Sequence, residues 1–288
     1  MDIDVLGALA VRENGLSITP TAPKPRQVLA LLALHADQVV PVSALIEELW
    51  AGEPPRSART TLQTYVLQLR ALIATALERG GSEGAAADAG DGGPPAVART
   101  AKDVLVTLPG GYLLSSGGGT LDVREFDRLA GTGYRAMDAG DFAGAARLLR
   151  EALALWSGPA FADVQGGVQL DMETRRLEET RLCALDQRIE ADLRLGRHRE
   201  LLAELTVLAA RYRTHENLHG QFMLALHRSG RRGEALDVYQ RLRGTLVREL
   251  GLEPSVALRR LQRSILMAGP ENPAESAVES GGERLVRA

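Results

Sequence analysis

Two short stretches hold residue types whose spacing could do chemistry. HENLH, His215 to His219, matches the H-E-x-x-H string in which two histidines on one helical turn bind zinc and the glutamate activates water. The third ligand that such a site needs is missing: Ala225 stands at the extended histidine spacing, and no clear downstream helix offers a glutamate. The string also falls inside a helical array, where Thr214 could begin a helix, so it reads as coincidence and no metal is expected. The second stretch is PPRSARTTLQTYVLQLR, residues 54 to 70. On a wheel centred on Leu62, Ala58, Val66, Leu69 and Ile73 fall within about 40° and make a core stripe. Thr60, Thr64 and Leu67 lie opposite, flanked by Thr61 and Gln68 on one side and by Arg56 and Gln63 on the other. No acid occurs between Glu53 and Glu78. Threonine and glutamine can bond base edges, a threonine methyl can meet a thymine methyl, and arginine can meet phosphate or guanine. A Thr-rich solvated face would produce the same wheel, so the pattern alone leaves both readings open.

The elements that would carry this helix follow from local signals. VLGALAVRENGLSI has two apolar runs about Asn14-Gly15, a hairpin signal. PRQVLALLALH places Val28, Leu31, Leu32 and His35 at helical spacing after Pro25, and His35 reads as a packed histidine. Ser43 is suited to cap a short helix, ALIEELW, with Leu45, Ile46 and Leu49 on one face. DVLVTLPGGYLLSS predicts a second hairpin about Pro109-Gly110-Gly111. The Gly/Ala-rich segment over 80–98 is expected to be a flexible insertion, and 269–288 a disordered tail.

From residue 121 the chain reads as helical and contains a repeat. GDFAGAARLLREAL, GRHRELLAELTVLA and GRRGEALDVYQRLR begin at Gly140, Gly196 and Gly230, the last two 34 residues apart, the tetratricopeptide period. An insertion around WSGPAFADV breaks the array between the first two.

Composition agrees with a mainly helical chain without secretion signals. The protein has 288 residues, formal net charge −3, 45% hydrophobic residues and only 4% aromatic ones, so the cores rest on Leu, Val and Ala. Cys183 is the single cysteine, which excludes an intramolecular disulfide and a thiolate zinc cluster. There is no signal-peptide pattern and no long apolar run, so a cytoplasmic location and no membrane partner are expected. Phosphate-loop motifs are absent, so no cofactor is expected.

An N-terminal hairpin, a helix, a short helix, a turn, a longer helix and a hairpin follow the order of a winged helix-turn-helix. In GALAVRENG, PRQVLALLALHADQVVPVSALIEELW, SARTTLQTYVLQLRALI and DVLVTLPGGYLL the sequence resembles the OmpR-type winged-helix domain of the Streptomyces antibiotic regulatory protein family. From REFDRLAG to ELGLEPSVALRRLQRSIL it resembles that family's bacterial transcriptional activation domain. The resemblance implies an α+β winged helix-turn-helix over 1–117, carrying the 80–98 insertion, followed by an all-α TPR-like domain over 121–268, predominantly α overall. It implies a non-enzymatic, sequence-specific transcriptional activator of a secondary-metabolite gene cluster. Its partners would be promoter DNA with direct repeats near the −35 element, RNA polymerase holoenzyme through the sigma-factor region there, and a second copy of itself on DNA. The recognition helix would be 57–77 and the wing 104–115. Thr61, Thr64 and Gln68 are then expected at base edges, and Arg59, Thr60, Tyr65 and Arg70 at phosphates, with Thr107 and Tyr112 contributing from the wing. Tyr65 at the core rim, Arg70 in an ion pair and Tyr112 in hairpin packing are the plainer roles for those three. Leu108 stands where the family wing commonly carries a basic residue. Arg26 is a further phosphate candidate, read as a solvated side chain.

Overall fold

The computed structural model describes residues 1–84 and 99–267. They form two compact units that divide between Arg188 and Ile189. The first unit opens with strands β1 (Asp2–Asp4), β2 (Ala10–Glu13) and β3 (Leu16–Ser17), antiparallel in that order. Glu13 pairs Leu16, leaving Asn14-Gly15 as a two-residue turn with φ of 52° and 76°. Positive φ at both positions is the type I′ requirement that Asn-Gly meets with little strain.

Helix α1 (Pro23–Leu34) begins two residues ahead of the expected Pro25, with proline in its first turn. Val28, Leu31 and Leu32 are buried as the periodicity predicts. His35 is the half-buried C-cap, and burial pushes its imidazole pKa down, as for a packed histidine. Strand β4 (Val39–Pro41) leads directly into α2 (Val42–Trp50). The expected cap is corrected here. Pro41, in extended conformation, is the N-cap and offers no side-chain bond, while Ser43 lies inside the first turn. Pairing of β4 holds Pro41 extended, so the helix starts two residues too early for Ser43 to cap it.

Ala51 and Gly52, with φ of 47° and 90°, end α2 and turn the chain into α3 (Ala58–Gly84). The expected insertion is therefore helical through Gly84; the rest of it, and the expected tail over 269–288, lie outside the described residues. A one-turn helix, α4 (Ala101–Val104), is closed by a capping box in which the Thr100 amide and hydroxyl donate to Asp103 Oδ2 at 2.9 and 2.7 Å. Strands β5 (Leu105–Leu108) and β6 (Gly111–Leu114) form the second hairpin, in a sheet ordered β4-β6-β5. Gly110, at φ 83°, takes the position after Pro109 that a type II turn reserves for glycine.

The helical region supplies α5 (Asp122–Asp138), α6 (Phe142–Ala154), α7 (Val168–Arg194), α8 (His198–Arg211), α9 (Glu216–Arg228), α10 (Arg232–Leu250) and α11 (Val256–Met267). The three repeat glycines, Gly140, Gly196 and Gly230, have φ of 76°, 79° and 80° and end α5, α7 and α9. That is the left-handed turn a β-carbon disfavours. In the first unit α5 packs on α6; in the second, α9 packs against α8, α10 and α11.

The first unit's core runs continuously from Ile3 to Ala184 and joins winged-helix elements to α5, α6 and the start of α7. Phe126 and Trp156 meet edge to face at 5.6 Å. Three carboxylates tie the layers together. Asp122 accepts from the Val5 and Leu6 amides at 2.7 and 2.8 Å, and Asp163 accepts from the Leu9 amide at 2.8 Å. Glu48 of α2, 2% exposed, accepts from the amides of Gly167, Gln169 and Leu170 at the N-terminus of α7, and its own carbonyl accepts from Gln27. A carboxylate facing the unpaired amides of a helix start satisfies donors that would otherwise be orphaned.

Candidate nucleic-acid interface

Helix α3 is held by the stripe the wheel selected: Ala58, Leu62, Val66, Leu69 and Ile73 are all 5% exposed or less. Its entry is shaped by Pro54-Pro55 and by amide bonds from Ala58 to Pro55 O and from Thr61 to Ser57 O, each 2.9 Å. With the stripe buried, Arg56, Arg59, Thr60, Gln63, Thr64, Leu67 and Gln68 are left exposed, and Thr61 is half-buried beside them.

The nine candidates divide into four groups. Arg59, Thr60, Thr61, Thr64 and Gln68 share the outward side of α3. The Thr64 hydroxyl donates to Thr60 O at 3.1 Å, so its free capacity is as an acceptor, suited to an amino group of adenine or cytosine. Tyr65 is partly buried against the core. Arg70 and Thr107 are joined to one another. Arg70 Nε and Nη2 donate to Leu105 O at 3.1 and 2.6 Å, and Nη2 also donates to Thr107 Oγ1 at 2.8 Å. The partner of Arg70 is thus a strand carbonyl, where sequence reasoning weighed only phosphate or a carboxylate. This fork fastens α3 to β5, the first strand of the wing. Tyr112, opposite Thr107 and Val40 in the sheet, is 7% exposed and belongs to the core.

Three residues outside the candidate set join the surface. Leu67 is 63% exposed in the middle of the Thr/Gln face, positioned as an apolar contact for a thymine methyl. Its place opposite the stripe is visible on the wheel. Arg56, like Arg59, makes no ion pair or hydrogen bond among the described residues, so both guanidiniums are available to phosphate. Lys102 is exposed on α4, immediately before the wing strand, while the turn itself offers Leu108, Pro109 and Gly110. Arg26 is excluded from this set: it pairs with Asp163 and donates to Pro20 O at 2.9 Å, which makes it structural where a solvated side chain was expected.

The zinc-like string has no metal geometry. His215 is the N-cap of α9, its Nδ1 accepting from the Leu218 amide at 3.3 Å, so the first turn begins at Glu216 and Thr214 does not start the helix. His219 Nδ1 lies 3.1 Å from His215 O. Among the described residues no group of three or more His, Cys, Asp or Glu could hold a metal ion, and no helix is long and apolar enough to cross a membrane.

Comparisons with known proteins agree in both parts of the chain. The family model described as bacterial transcriptional activator domain matches residues 121–266, and that described as transcriptional regulatory protein, C terminal, matches residues 17–80. The chain is 51% identical over 285 residues to the regulatory protein DnrI of Streptomyces peucetius, covering 96% of this chain and 99% of that one. It is 36% identical to the regulatory protein AfsR of Streptomyces coelicolor over 92% of this chain, which corresponds to 24% of that longer protein. Among solved structures, Mycobacterium tuberculosis EmbR in complex with a low-affinity phosphopeptide superposes with a TM-score of 0.77 at 31% identity, over 97% of this chain and 68% of that one.

Proposed function

Since the chain belongs to the Streptomyces antibiotic regulatory protein family of transcriptional activators, we propose that it activates a secondary-metabolite gene cluster by laying α3 in the major groove of direct repeats near a promoter's −35 element. The observation that carries this reading is the outward side of α3 ahead of Glu78, which is free of acids and where Thr60, Thr61, Thr64, Leu67 and Gln68 are framed by the guanidiniums of Arg56 and Arg59, unpaired among the described residues. Thr61, Thr64 and Gln68 read base edges, and Leu67 adds an apolar contact. Arg56, Arg59 and Thr60 bind phosphate. Tyr65 shapes the edge of the helix. Arg70 and Thr107 hold the wing in register with it, and Tyr112 supports the wing from inside. Direct repeats place protomers head to tail, a heterologous arrangement on DNA. The exposed turn Ala51–Pro55, set by the left-handed Ala51 and Gly52, faces the sigma-factor region of RNA polymerase holoenzyme, and the helical domain assists assembly at the nucleoid.

Few basic residues surround this face, and the net charge is −3, so non-specific attraction is weak and affinity depends on simultaneous engagement of two sites. A footprint on promoters of neighbouring genes locates the operator, and a mobility-shift titration then compares a tandem site with one half-site. The tandem site is expected to bind at least tenfold more tightly, with binding lost when Thr61, Thr64 and Gln68 are all changed to alanine while circular dichroism is unchanged. Equal affinity for the half-site would refute head-to-tail binding; binding retained by the triple variant would refute base reading by α3.

A further inference from the structure

The second unit contains a half-open groove of about 660 Å³ bordered by α8, α9 and α10. Its apolar floor includes Phe222, Val238 and Leu242, all at most 8% exposed. Three guanidiniums, of Arg213, Arg241 and Arg248, line the same groove. Glu249 pairs with Arg213 at 3.1 Å and with Arg248 at 3.7 Å, so one carboxylate serves both. Arg241 makes no hydrogen bond or ion pair among the described residues. The local charge is positive above an apolar floor.

Two further features point to a ligand. His219 is 6% exposed and borders the groove. Its Nδ1 faces His215 O at 3.1 Å, and a carbonyl can only accept, so Nδ1 carries the proton and the neutral ring's Nε2 keeps a lone pair. Nε2 has no partner among the described residues. The ring borders the groove and Nε2 is not sealed from solvent, so a donor entering the groove can reach it. The second feature is Gly244, inside the 19-residue α10 and on the groove wall. A β-carbon there would meet nothing within 4 Å. No packing contact calls for glycine, which is unfavourable in a helix interior, and its effect is to keep the groove open.

We propose that this groove binds a small organic anion. Its acidic group pairs with Arg241, supported by Arg213 and Arg248; its ring system lies on Phe222, Val238 and Leu242; and an O–H or N–H of the ligand donates to His219 Nε2. The volume is that of a small-molecule site, and burying an apolar body while pairing a guanidinium makes charge and shape act together. This goes beyond DNA recognition and does not depend on it.

The test uses the full chain with 8-anilinonaphthalene-1-sulfonate, an aromatic anion carrying one N–H, followed by fluorescence. Its uncharged analogue N-phenyl-1-naphthylamine is the control. Saturable binding at one probe per chain is expected, with the uncharged analogue at least tenfold weaker. Gly244→Leu fills the groove and should abolish binding while its melting temperature stays equal or rises. Arg241→Ala should weaken the anion about tenfold and leave the uncharged analogue unchanged. The proposal is overturned if no saturable binding occurs, if the two probes bind equally, or if Gly244→Leu binds as the parent does. It is also overturned if the parent sediments as a dimer that Gly244→Leu converts to monomer, because a second copy would then fill the groove.

Discussion

Arg70→Ala separates two roles that a basic residue on a recognition helix can have. In the structure its guanidinium makes three bonds to the wing strand, two to Leu105 O at 3.1 and 2.6 Å and one to Thr107 Oγ1 at 2.8 Å. A hydrogen bond involving a charged group contributes about 1.5–3 kcal/mol when enclosed, but this side chain is only partly buried and water can replace it. A total loss of about 2 kcal/mol is therefore expected, a fall of about 4–8 °C in melting temperature for a unit of this size. DNA affinity should also fall, because the wing is no longer held in register with α3. The dependence of affinity on salt should keep its slope, since donors occupied by the strand release no counterion. Arg59→Ala is the reverse case: without a partner among the described residues, it should leave melting unchanged and reduce the salt slope by about 0.9. Differential scanning fluorimetry and anisotropy titrations across a salt series measure both quantities. An Arg70→Ala protein with unchanged melting and a slope reduced by about 0.9 would make Arg70 a phosphate ligand and refute the clamp.

Glu48→Ala removes the acceptor shared by three amides at the start of α7 and should cost about 3 kcal/mol or more, read in urea denaturation as a lower midpoint; an unchanged midpoint would mean that water satisfies those amides. Gly196→Ala forces a β-carbon into φ 79° and should cost about 1–2 kcal/mol in the same assay, and a neutral result would show that the turn relaxes away from left-handed geometry. Burial lowers the His219 pKa below the usual imidazole value, and the same direction holds at His35 and His198. Between the lowered value and about 6.5 the unfolded chain binds more protons, so stability is complete above that window and is lost as pH falls through it. Melting temperature should rise from about pH 5 to 7, and His219→Gln should flatten the rise; an unaltered slope would assign it to other groups.

The features legible in the sequence are those set within a few residues of one another. Asn14-Gly15, Pro109-Gly110 and the glycines at 140, 196 and 230 mark turns because the required dihedrals are a property of the residue itself. The apolar stripe of α3 is legible because a helix repeats every 3.6 residues whatever it packs against, so the Thr/Gln face opposite it was legible too. The one-turn α4 was not, being too short to show a period.

Tertiary structure decided which polar groups are spent inside the protein and which remain for a partner. Arg26, Arg59 and Arg70 are alike as letters, yet Arg26 pairs with Asp163, Arg70 holds a wing carbonyl, and Arg59 is unpaired among the described residues. Glu48 on an exposed-looking helix caps α7 from more than a hundred residues away, and Ser43, a plausible cap, does not cap because β4 fixes where α2 begins. A turn or a stripe depends on local dihedrals and spacing, which the chain carries with it. An ion pair or a cap depends on where distant backbone arrives, and only packing determines that.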